Sequence, residues 1–313
     1  MLVTIKKTIR FSIRSLSTMS NLDNPIEGFA DISVNQGGKS ITLHSYKYPS
    51  KINEIKAINL LFHGYSEYLK CALRPYATFL AEKGICSIGI DQRGFGSSQG
   101  IRGYFESFDH IIADTIKFLE LAKQRDPQLN NKPLLLTGLS MGGASCLHFA
   151  LKEPNMAKGM IMFSPAVALN KKEVKGTSIL SFMAPLLKPF KKLGPMNFPY
   201  DLASYNEELL NTLKTDPIIY KGKFPFASIL EFLRSEKYLM KNADKLKTPF
   251  ILFQGEVDRI IDAKAVKELS DKVIGVQNKE LVLVPDGDHL LLLDPAKMGK
   301  MQEQISSWLS QII

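Results

Sequence analysis

The sequence predicts an α/β fold, with a mostly parallel central sheet and helices on both faces. Segments with the periodicity of strands alternate along the chain with segments that have the periodicity of helices. The predicted inner strands, such as Ile55 to Phe62 and Ile85 to Ile90, are largely apolar runs without strict alternation. Because such runs are typical of parallel strands buried on both faces, they favour a sheet covered by helices on each side.

The first predicted strands form a hairpin at the amino-terminal end of the fold. Asp31 to Val34 and Ile41 to Tyr48 have strand-like composition, and the turn-forming residues 35–38 separate them. The remaining elements, in chain order, are a strand at Ile55 to Phe62, a helix at Leu73 to Lys83, a strand at Ile85 to Ile90, a helix from Phe105 to Leu119, strands at Leu134 to Leu136, Gly159 to Phe163 and Phe250 to Phe253, a helix at Ala263 to Val273, a strand at Glu280 to Val284 and a final helix from Pro295.

The pentapeptide Gly138-Leu-Ser140-Met-Gly142 lies between a predicted strand and a predicted helix. The apolar run Leu134 to Leu136 precedes it, and apolar residues from Ala144 to Ala150 follow it. A serine in a sharp strand-to-helix turn, flanked by glycines, is the context of a nucleophile elbow. The following helix directs its amino terminus at the serine, where partial positive charge favours a developing anion. Ser140 is therefore the predicted nucleophile.

A serine hydroxyl needs a base to take its proton and an acid to orient that base. Of the five histidines, His289 is the predicted base, because it follows the last strand on a turn. Two aspartates, Asp258 and Asp262, follow the preceding strand. Asp262 suits the N-cap of the helix that begins near Ala263, so Asp258 is the predicted acid. The chain order Ser140, Asp258, His289 is that of α/β-hydrolases.

Two backbone N–H groups are expected to bind the oxyanion of the reaction. One belongs to Met141, the residue after the nucleophile. The other belongs to Tyr65, in the turn His63-Gly64-Tyr65 that follows an early strand. Gly64 lets the backbone approach closely at this turn. Loss of one such donor typically lowers the rate about 10²–10³-fold.

One interval of the chain departs from the alternation of strands and helices. More than eighty residues separate the strand that ends at Phe163 from the strand that begins at Phe250. Structureless loops of that length are uncommon in compact domains, so an inserted helical cap is expected at residues 166–243. The α/β core then comprises residues 25–165 and 244–313, and residues 1–24 form a basic amino-terminal extension.

The first twenty residues are basic, lack acidic residues and are rich in serine and threonine. With isoleucines and a leucine at helical spacing, this composition matches a mitochondrial transit peptide. The alternatives are a disordered extension or a later start at Met19. In each case the segment is expected to lie outside the fold and to be dispensable for catalysis.

The composition argues against several classes of function. The net charge is +9, but no basic stripe with interleaved aromatic residues is present, so no nucleic-acid partner is expected. No apolar run approaches the roughly 20 residues that span a bilayer. The three cysteines form no disulfide framework, which favours a reducing compartment such as the cytoplasm. His and Cys do not cluster with metal-ligand spacing, and neither a metal nor another cofactor is expected.

These motifs together resemble the monoacylglycerol lipase-like (lysophospholipase-like) branch of the serine α/β-hydrolases. The matching segments are His63-Gly-Tyr-Ser-Glu67, Asp91-Gln-Arg-Gly-Phe-Gly-Ser-Ser-Gln-Gly100, Gly138-Leu-Ser-Met-Gly-Gly143, Phe163-Ser-Pro-Ala166, Thr215-Asp-Pro217, Gln254-Gly-Glu-Val-Asp-Arg259 and Asp288-His289. The resemblance implies a triad of Ser140, Asp258 and His289, with an oxyanion hole from Tyr65 and Met141. It also implies a helical cap that encloses an acyl-chain tunnel.

The expected activity is hydrolysis of a lipid carboxylic ester through an acyl-enzyme on Ser140, foremost of a monoacylglycerol to glycerol and fatty acid. Lysophospholipid or short-chain ester hydrolysis by the same triad is the alternative. A hydrolase-fold receptor with little turnover is a reading from a different class. Leu139 departs from the family, which usually has histidine before the nucleophile, but its side chain is expected to point away from the site.

The predicted cap contains a segment suited to a lipid surface. Between Ile179 and Lys192, large apolar residues alternate with lysines and prolines. Apolar groups beside lysines anchor proteins at anionic interfaces, so the cap is expected to dock peripherally on membranes. The alternative is an ordinary buried cap helix with a solvated basic end.

Overall fold

The computed structural model describes residues 24–174 and 190–313. The strands are β1 (Ile26–Glu27), β2 (Ile32–Gln36), β3 (Lys39–Leu43), β4 (Ser45–Tyr48), β5 (Ala57–Phe62), β6 (Ile85–Ile90), β7 (Leu134–Leu139), β8 (Gly159–Phe163), β9 (Met196–Asn197), β10 (Lys223–Phe224), β11 (Phe250–Gly255) and β12 (Lys279–Val284). The helices are α1 (Arg74–Glu82), α2 (Phe108–Arg125), α3 (Met141–Lys152), α4 (Glu207–Thr215), α5 (Phe226–Asn242), α6 (Ala263–Lys272) and α7 (Pro295–Leu309).

Two predicted segments fall largely or wholly outside the described residues. The basic segment 1–20 is one, and most of the 179–192 segment, for which membrane docking is expected, is the other. Within the described ranges, no helix combines the length and the apolar character needed to cross a membrane.

Eight strands form the central sheet, in the order β1-β4-β6-β5-β7-β8-β11-β12. Every neighbouring pair from β6 to β12 is parallel, while β4 runs antiparallel to β6 and β1 antiparallel to β4. The sheet is therefore mostly parallel, as predicted. Because parallel strands end at the same edge, the turns after β5, β7, β11 and β12 lie on one side of the molecule.

Helices cover both faces of this sheet. Leu60 of β5 belongs to one apolar cluster, together with Phe149 of α3. Its neighbour Leu61 belongs to a second cluster, together with Tyr76 of α1 and Trp308 of α7. Since successive residues of a strand point to opposite faces, the two clusters lie on opposite sides of the sheet. The predicted arrangement of helices on both faces is confirmed.

The amino-terminal hairpin differs from the prediction in one respect. β2 and β3 form the hairpin, but the single strand predicted from Ile41 to Tyr48 is broken at His44. Its second half, β4, pairs with β6 in the central sheet instead. Asp31 holds the chain at the break, because its Oδ1 accepts hydrogen bonds from the backbone N–H and the hydroxyl of Ser45, each at 2.7 Å.

The long interval between β8 and β11 contains the helices α4 and α5 and the antiparallel pair β9 and β10. Helix α5 docks on the core at the start of α2. The Ser228 hydroxyl accepts a hydrogen bond from the N–H of Phe105 at 3.0 Å, and Glu231 Oε1 accepts one from the N–H of Phe108 at 2.9 Å. The predicted cap falls in this interval, and its boundaries at 166 and 243 stay a prediction.

Candidate active site

Ser140 occupies the sharp turn between β7 and α3. Its backbone has φ 55° and ψ −115°, a conformation that residues with a side chain rarely adopt. The turn is held on both sides, because the Ser140 N–H donates to the carbonyl of Phe163 and the Ser140 carbonyl accepts from the N–H of Ala166, each at 2.9 Å. Ser140 is only partly buried, whereas the α3 residues that follow it are buried. The strained turn thus presents the hydroxyl at the amino terminus of α3.

The glycines around Ser140 are required by close backbone contacts. A Cβ atom on Gly138 would lie 2.1 Å from the carbonyl oxygen of Gly142. A Cβ atom on Gly142 would lie 1.9 Å from the carbonyl oxygen of Phe62. Neither position leaves room for a side chain. This packing is the physical reason for the glycines of the pentapeptide.

Asp258 and His289 meet in the turns after β11 and β12. The His289 Nδ1 donates a hydrogen bond to Asp258 Oδ2 at 2.8 Å, and each residue is 5% exposed. The other oxygen, Asp258 Oδ1, accepts from the N–H groups of Ile260 and Ile261 at 2.8 and 2.9 Å. Gln254 Nε2 donates to Oδ2 at 3.1 Å. The carboxylate is therefore fixed by four donors and in turn fixes the imidazole ring.

The two turns are packed directly against each other. The N–H of Val257 donates to the carbonyl of Gly287 at 3.0 Å. A Cβ atom on Gly255 would lie 2.2 Å from the same carbonyl oxygen, so only glycine permits this approach. The distance between Asp258 and His289 is consequently set by backbone contacts as well as by their own hydrogen bond.

The pKa values of the pair shift in opposite directions. Burial disfavours the charge of Asp258, but the attraction of His289, its hydrogen bond and the two backbone donors outweigh burial and lower the pKa of Asp258. Burial also acts to lower the pKa of His289, but Asp258, with Glu67 and Asp288 adding to its effect, raises the pKa of His289 above 6.5. The ring is thus a stronger base than an isolated imidazole.

Ser140 and His289 line the same cavity, whose empty volume is about 370 Å³. Among the described residues, no hydrogen bond joins the Ser140 hydroxyl to the His289 ring. Catalytic hydrogen bonds are often long without substrate and shorten only in the reacting complex. The structure therefore brings the predicted nucleophile and base to one cavity, with the predicted acid directly behind the base.

His63 shapes the turn after β5. Its Nε2 lies 2.9 Å from the N–H of Gln92 and accepts that hydrogen bond, so its proton is on Nδ1, which donates to the Gly64 carbonyl at 2.7 Å. Burial lowers the pKa of His63, which keeps the ring neutral. The ring holds the turn that carries Tyr65. It fills a structural position in the core, 0% exposed.

Tyr65 and Met141 are the two residues predicted to supply the oxyanion donors. Tyr65 lines the same cavity as Ser140, and its own hydroxyl donates to the carbonyl of Gly103 at 2.7 Å. Met141 is the first residue of α3, and the first N–H groups of a helix have no acceptor within that helix. Met141 thus directly follows Ser140 in the chain and Tyr65 shares a cavity lining with it, and the roles of their N–H groups as oxyanion donors stay a prediction.

The alternative acid, Asp262, has a different role. Its Oδ1 accepts a hydrogen bond from the N–H of Lys264 at 2.9 Å, which caps the amino terminus of α6. Of the two candidate aspartates, Asp258 is the one that contacts His289. Within residues 24–174 and 190–313, His, Cys, Asp and Glu form no group of three suited to hold a metal ion.

Comparison with known proteins places this geometry in a family. The sequence profile of the Hydrolase_4 family, described as serine aminopeptidase, S33, matches residues 53–296, more than half of the chain. The chain belongs to the Hydrolase_4 family.

Several monoglyceride lipases are similar to this member of the Hydrolase_4 family. The Homo sapiens monoglyceride lipase is 26% identical over 258 residues, which cover 82% of this chain and 83% of that one. The Saccharomyces cerevisiae monoglyceride lipase is 30% identical over 253 residues, covering 76% and 78%. The solved structure of a soluble variant of the yeast protein, in complex with a substrate analog, has a TM-score of 0.76 at 23% identity and covers 90% of this chain and 94% of that chain. With the family match, these relatives show that the chain is an enzyme, an ester hydrolase of the monoacylglycerol lipase-like type. The predicted family and the predicted α/β-hydrolase fold are confirmed.

This Hydrolase_4 chain has a second cavity beside the first, with an empty volume of about 350 Å³. Ser140 and Tyr65 line both cavities. The second cavity is otherwise apolar, and its lining includes Leu169, Phe232 and Ile261. Such a lining suits a hydrocarbon chain. We refer to it as the apolar cavity and to the first as the polar cavity.

Glu67 is a residue of the polar cavity to which the family motif by itself assigns no role. It is 7% exposed, and its Oε2 has no hydrogen-bond partner among the described residues. Burial raises the pKa of Glu67 to about 7, although attraction to His289 and a hydrogen bond with the Gly64 backbone oppose the shift. A carboxyl group with this pKa donates or accepts hydrogen bonds near neutral pH. Its place two residues after Tyr65 is the sequence signal that points to it.

Leu139, the departure from the family pattern, is fully buried. It packs in the second apolar cluster, which also holds Tyr76 and Phe163, and it lines neither cavity. Its side chain is therefore part of the core under the turn, away from the Ser140 hydroxyl.

Proposed function

We propose that the protein hydrolyses the carboxylic ester of a single-chain lipid, foremost a monoacylglycerol, to glycerol and a free fatty acid. Ser140 is the proposed nucleophile, His289 the base and Asp258 the acid that orients it. The backbone N–H groups of Tyr65 and Met141 are the proposed oxyanion donors. The observation that carries the proposal is that an apolar cavity and a polar cavity meet at Ser140.

The proposed reaction has two halves. In the first, Ser140 Oγ attacks the ester carbonyl carbon while His289 Nε2 takes its proton, and the resulting oxyanion accepts hydrogen bonds from the two backbone donors. The tetrahedral intermediate then expels glycerol, which receives the proton from His289. In the second half, His289 takes a proton from water, which attacks the acyl-enzyme. The fatty acid leaves as Ser140 recovers its proton.

The two cavities support a division of the substrate. The apolar cavity would hold the acyl chain, at about 0.8 kcal/mol for each methylene removed from water. The polar cavity would hold the glycerol, and its lining includes Glu67, whose Oε2 has no hydrogen-bond partner among the described residues. A diacyl or triacyl glycerol would require room for a second chain on the polar side. The division therefore favours one acyl chain.

Lysophospholipids are the second candidate substrates, and the lining of the polar cavity disfavours them. A phosphate group is recognised by Arg or Lys, but the described lining contains neither. It contains the carboxyl group of Glu67, which repels a phosphate when ionised. A neutral glycerol leaving group fits these groups better. Short-chain esters would react at the same Ser140 without filling the apolar cavity.

A panel of substrates tests this proposal. We expect monooleoylglycerol to be hydrolysed with a higher kcat/KM than lysophosphatidylcholine with the same acyl chain or than a p-nitrophenyl acetate standard. The Ser140→Ala variant is the matched control and should hydrolyse none of them. Equal or better hydrolysis of the lysophospholipid would assign the alternative substrate. Stoichiometric labelling by a fluorophosphonate without multiple turnover on any ester would favour the receptor.

We also propose that the cap docks on anionic membranes. At the described end of the predicted docking segment, Phe190 is 54% exposed and Lys191 and Lys192 are exposed after it. Leu193, the residue that follows the segment, is 59% exposed. Each basic residue near an anionic surface contributes about 1 kcal/mol to binding. Location in the cytoplasm, or in mitochondria through residues 1–20, stays a prediction.

Substitution at this end of the segment tests docking. The double variant Lys192→Glu, Leu193→Ser should bind vesicles containing phosphatidylserine roughly tenfold or more weakly in a sedimentation assay. Ile274→Ser, which changes an exposed apolar residue outside the cap interval, is the control and should bind as the parent does. Parental binding by the double variant would remove the basis for docking through these residues.

A further inference from the structure

A short stretch of the cap interval lies against the two turns that carry the proposed acid and base. This stretch, residues 201–205, begins within the 3-10 turn Tyr200–Leu202 and ends just before the N-cap of α4. Two of its neighbours in space are Arg259, next to Asp258 in the chain, and Asp288, next to His289. We refer to residues 201–205 as the cap strap.

Arg259, on the turn that carries Asp258, makes three contacts with the cap strap. Its Nη2 donates to the carbonyl oxygens of Asp201 at 2.6 Å and Ser204 at 2.9 Å. Its guanidinium group also lies over the ring of Tyr205, 4.1 Å from the ring centre. These contacts satisfy two backbone carbonyls of the strap through the single nitrogen Nη2, and stacking of a planar guanidinium on an aromatic ring is a property of arginine that lysine lacks.

Asp288, on the turn that carries His289, accepts two hydrogen bonds from the cap strap. Its Oδ2 accepts a hydrogen bond from the buried hydroxyl of Ser204 at 2.5 Å and one from the N–H of Tyr205 at 3.1 Å. Its Oδ1 accepts from the N–H of Leu290 at 3.0 Å, on the far side of His289. The single carboxylate therefore joins the strap to the backbone on both sides of the proposed base.

Ser204 contacts both Arg259 and Asp288. Its carbonyl accepts from Arg259 and its hydroxyl donates to Asp288, and the residue is 1% exposed. The neighbouring residues Tyr200 and Ala203 line the polar cavity together with Ser140 and His289. One short stretch thus forms part of the cavity wall and contacts both turns.

We propose that Arg259 and Asp288 are positioning residues that lock the cap strap onto the acid and base turns, so that the wall of the polar cavity and the alignment of His289 are set together. The proposal rests on the roles of Asp258 and His289 in the proposed function. If these contacts did no more than anchor the cap, their loss would lower stability alone. As positioning contacts, the loss of those of Arg259 or of those of Asp288 should slow the chemical step. Because both sets of contacts include Ser204, their effects on the rate should not be independent.

A double-mutant cycle with Arg259→Lys and Asp288→Asn tests the proposal. Lysine keeps the charge but lacks the planar guanidinium that stacks on Tyr205 and bonds both carbonyls through Nη2, and asparagine keeps one acceptor but loses the second. We expect each variant to lower kcat on a soluble short-chain ester, and the rate of fluorophosphonate labelling, roughly tenfold, the effect of a lost hydrogen bond to a charged group. KM should change much less. The kcat of the double variant should be little lower than that of either single variant, because both residues hold the same strap.

Lys214→Gln is the matched control. It removes the exposed pairing of Lys214 with the Asp201 side chain, on the same strap but away from both turns, and should leave kcat and labelling at the parental level. All rates are referred to active sites counted by complete labelling, so misfolded protein does not contribute. Tyr205→Leu removes only the exposed stacking partner of Arg259 and serves as a second variant, with an expected few-fold loss of kcat, should either of the others fail to fold.

The outcomes separate the alternatives. Parental kcat per active site in the single variants, with only a lower melting temperature, would show ordinary cap anchoring and overturn the proposal. A multiplicative loss of about a hundredfold in the double variant would overturn the shared strap. Failure of the proposed function has a different signature, because the Ser140→Ala variant would then keep its labelling or its ester hydrolysis.

Discussion

The polar and apolar cavities share Ser140, Tyr65, Phe198 and Ile260, and they differ in the polar groups that line them. The apolar cavity is walled by aliphatic and aromatic side chains, and the polar cavity contains His289 and a carboxyl group without a hydrogen-bond partner among the described residues. Under the proposed function, acyl-chain binding and proton transfer are separated in space and meet at the Ser140 hydroxyl. Changes to one cavity should therefore alter one property of the enzyme and spare the other.

The acid behind the polar cavity should show the largest effect. Asp258→Asn should lower kcat about 10⁴-fold, because an amide no longer holds the imidazole in the tautomer that accepts the Ser140 proton. Asp262→Asn is the matched control, since Asp262 caps α6, and should lose no more than a few-fold. Kinetics of both variants on one soluble ester decide the assignment. A dead Asp262→Asn beside an active Asp258→Asn would reverse it.

A pair of bulky substitutions tests the division between the cavities. Leu169→Trp should fill the apolar cavity and displace three or four methylenes, at about 0.8 kcal/mol each, so long-chain esters should react roughly 10²-fold more slowly. Short-chain esters should react as before. Leu213→Trp fills the polar cavity instead. It should slow glycerol esters of every chain length while sparing ethyl esters. If both variants lose the same substrates, the two cavities do not divide the ester.

Glu67 gives the polar cavity an ionisation that the apolar cavity lacks. The pKa of its carboxyl rises from an ordinary value of 4.5 to about 7 on folding, so its contribution to stability is complete below the unfolded value and is lost as pH rises through about 7. Glutamine does not ionise. The free energy of unfolding of Glu67→Gln, relative to the parent, should therefore grow by about 2–3 kcal/mol between pH 5 and pH 8.

Denaturant unfolding at the two pH values measures this change. Glu256→Gln, at an exposed glutamate on the acid turn, is the control and should show no such growth. A constant difference between Glu67→Gln and the parent across the pH range would mean that the carboxyl group of Glu67 ionises normally in the folded protein.

Local chemistry explains which parts of the site the sequence predicts. The turn at Ser140 tolerates only glycine at two nearby positions, so its pattern is visible in the chain itself. Asp258 and His289 follow strands, and parallel strands bring such turns to one edge. The choice of Asp258 over Asp262 also follows from a local signal, the helix that begins at Ala263.

Other features depend on contacts between distant segments, and the sequence does not predict them. The break at His44 arises because Asp31, thirteen residues earlier, captures the next residue. The raised pKa of Glu67 depends on burial in a cavity that residues of the cap interval also line, which no local pattern indicates. The hydrogen bonds of Arg259 and Asp288 with Ser204 join segments more than fifty residues apart.

The proposed reaction of Ser140 between the two cavities is tested by finding which residue reacts when a long-chain fluorophosphonate enters the site. Peptide mapping by mass spectrometry after complete labelling should find one adduct per chain, on Ser140. The labelling rate should fall in Leu169→Trp, while a short-chain probe labels that variant at the parental rate. An adduct on another residue, or an equal loss of rate with both probes, would contradict the claim that Ser140 reacts at the junction of an acyl-chain cavity and a head-group cavity.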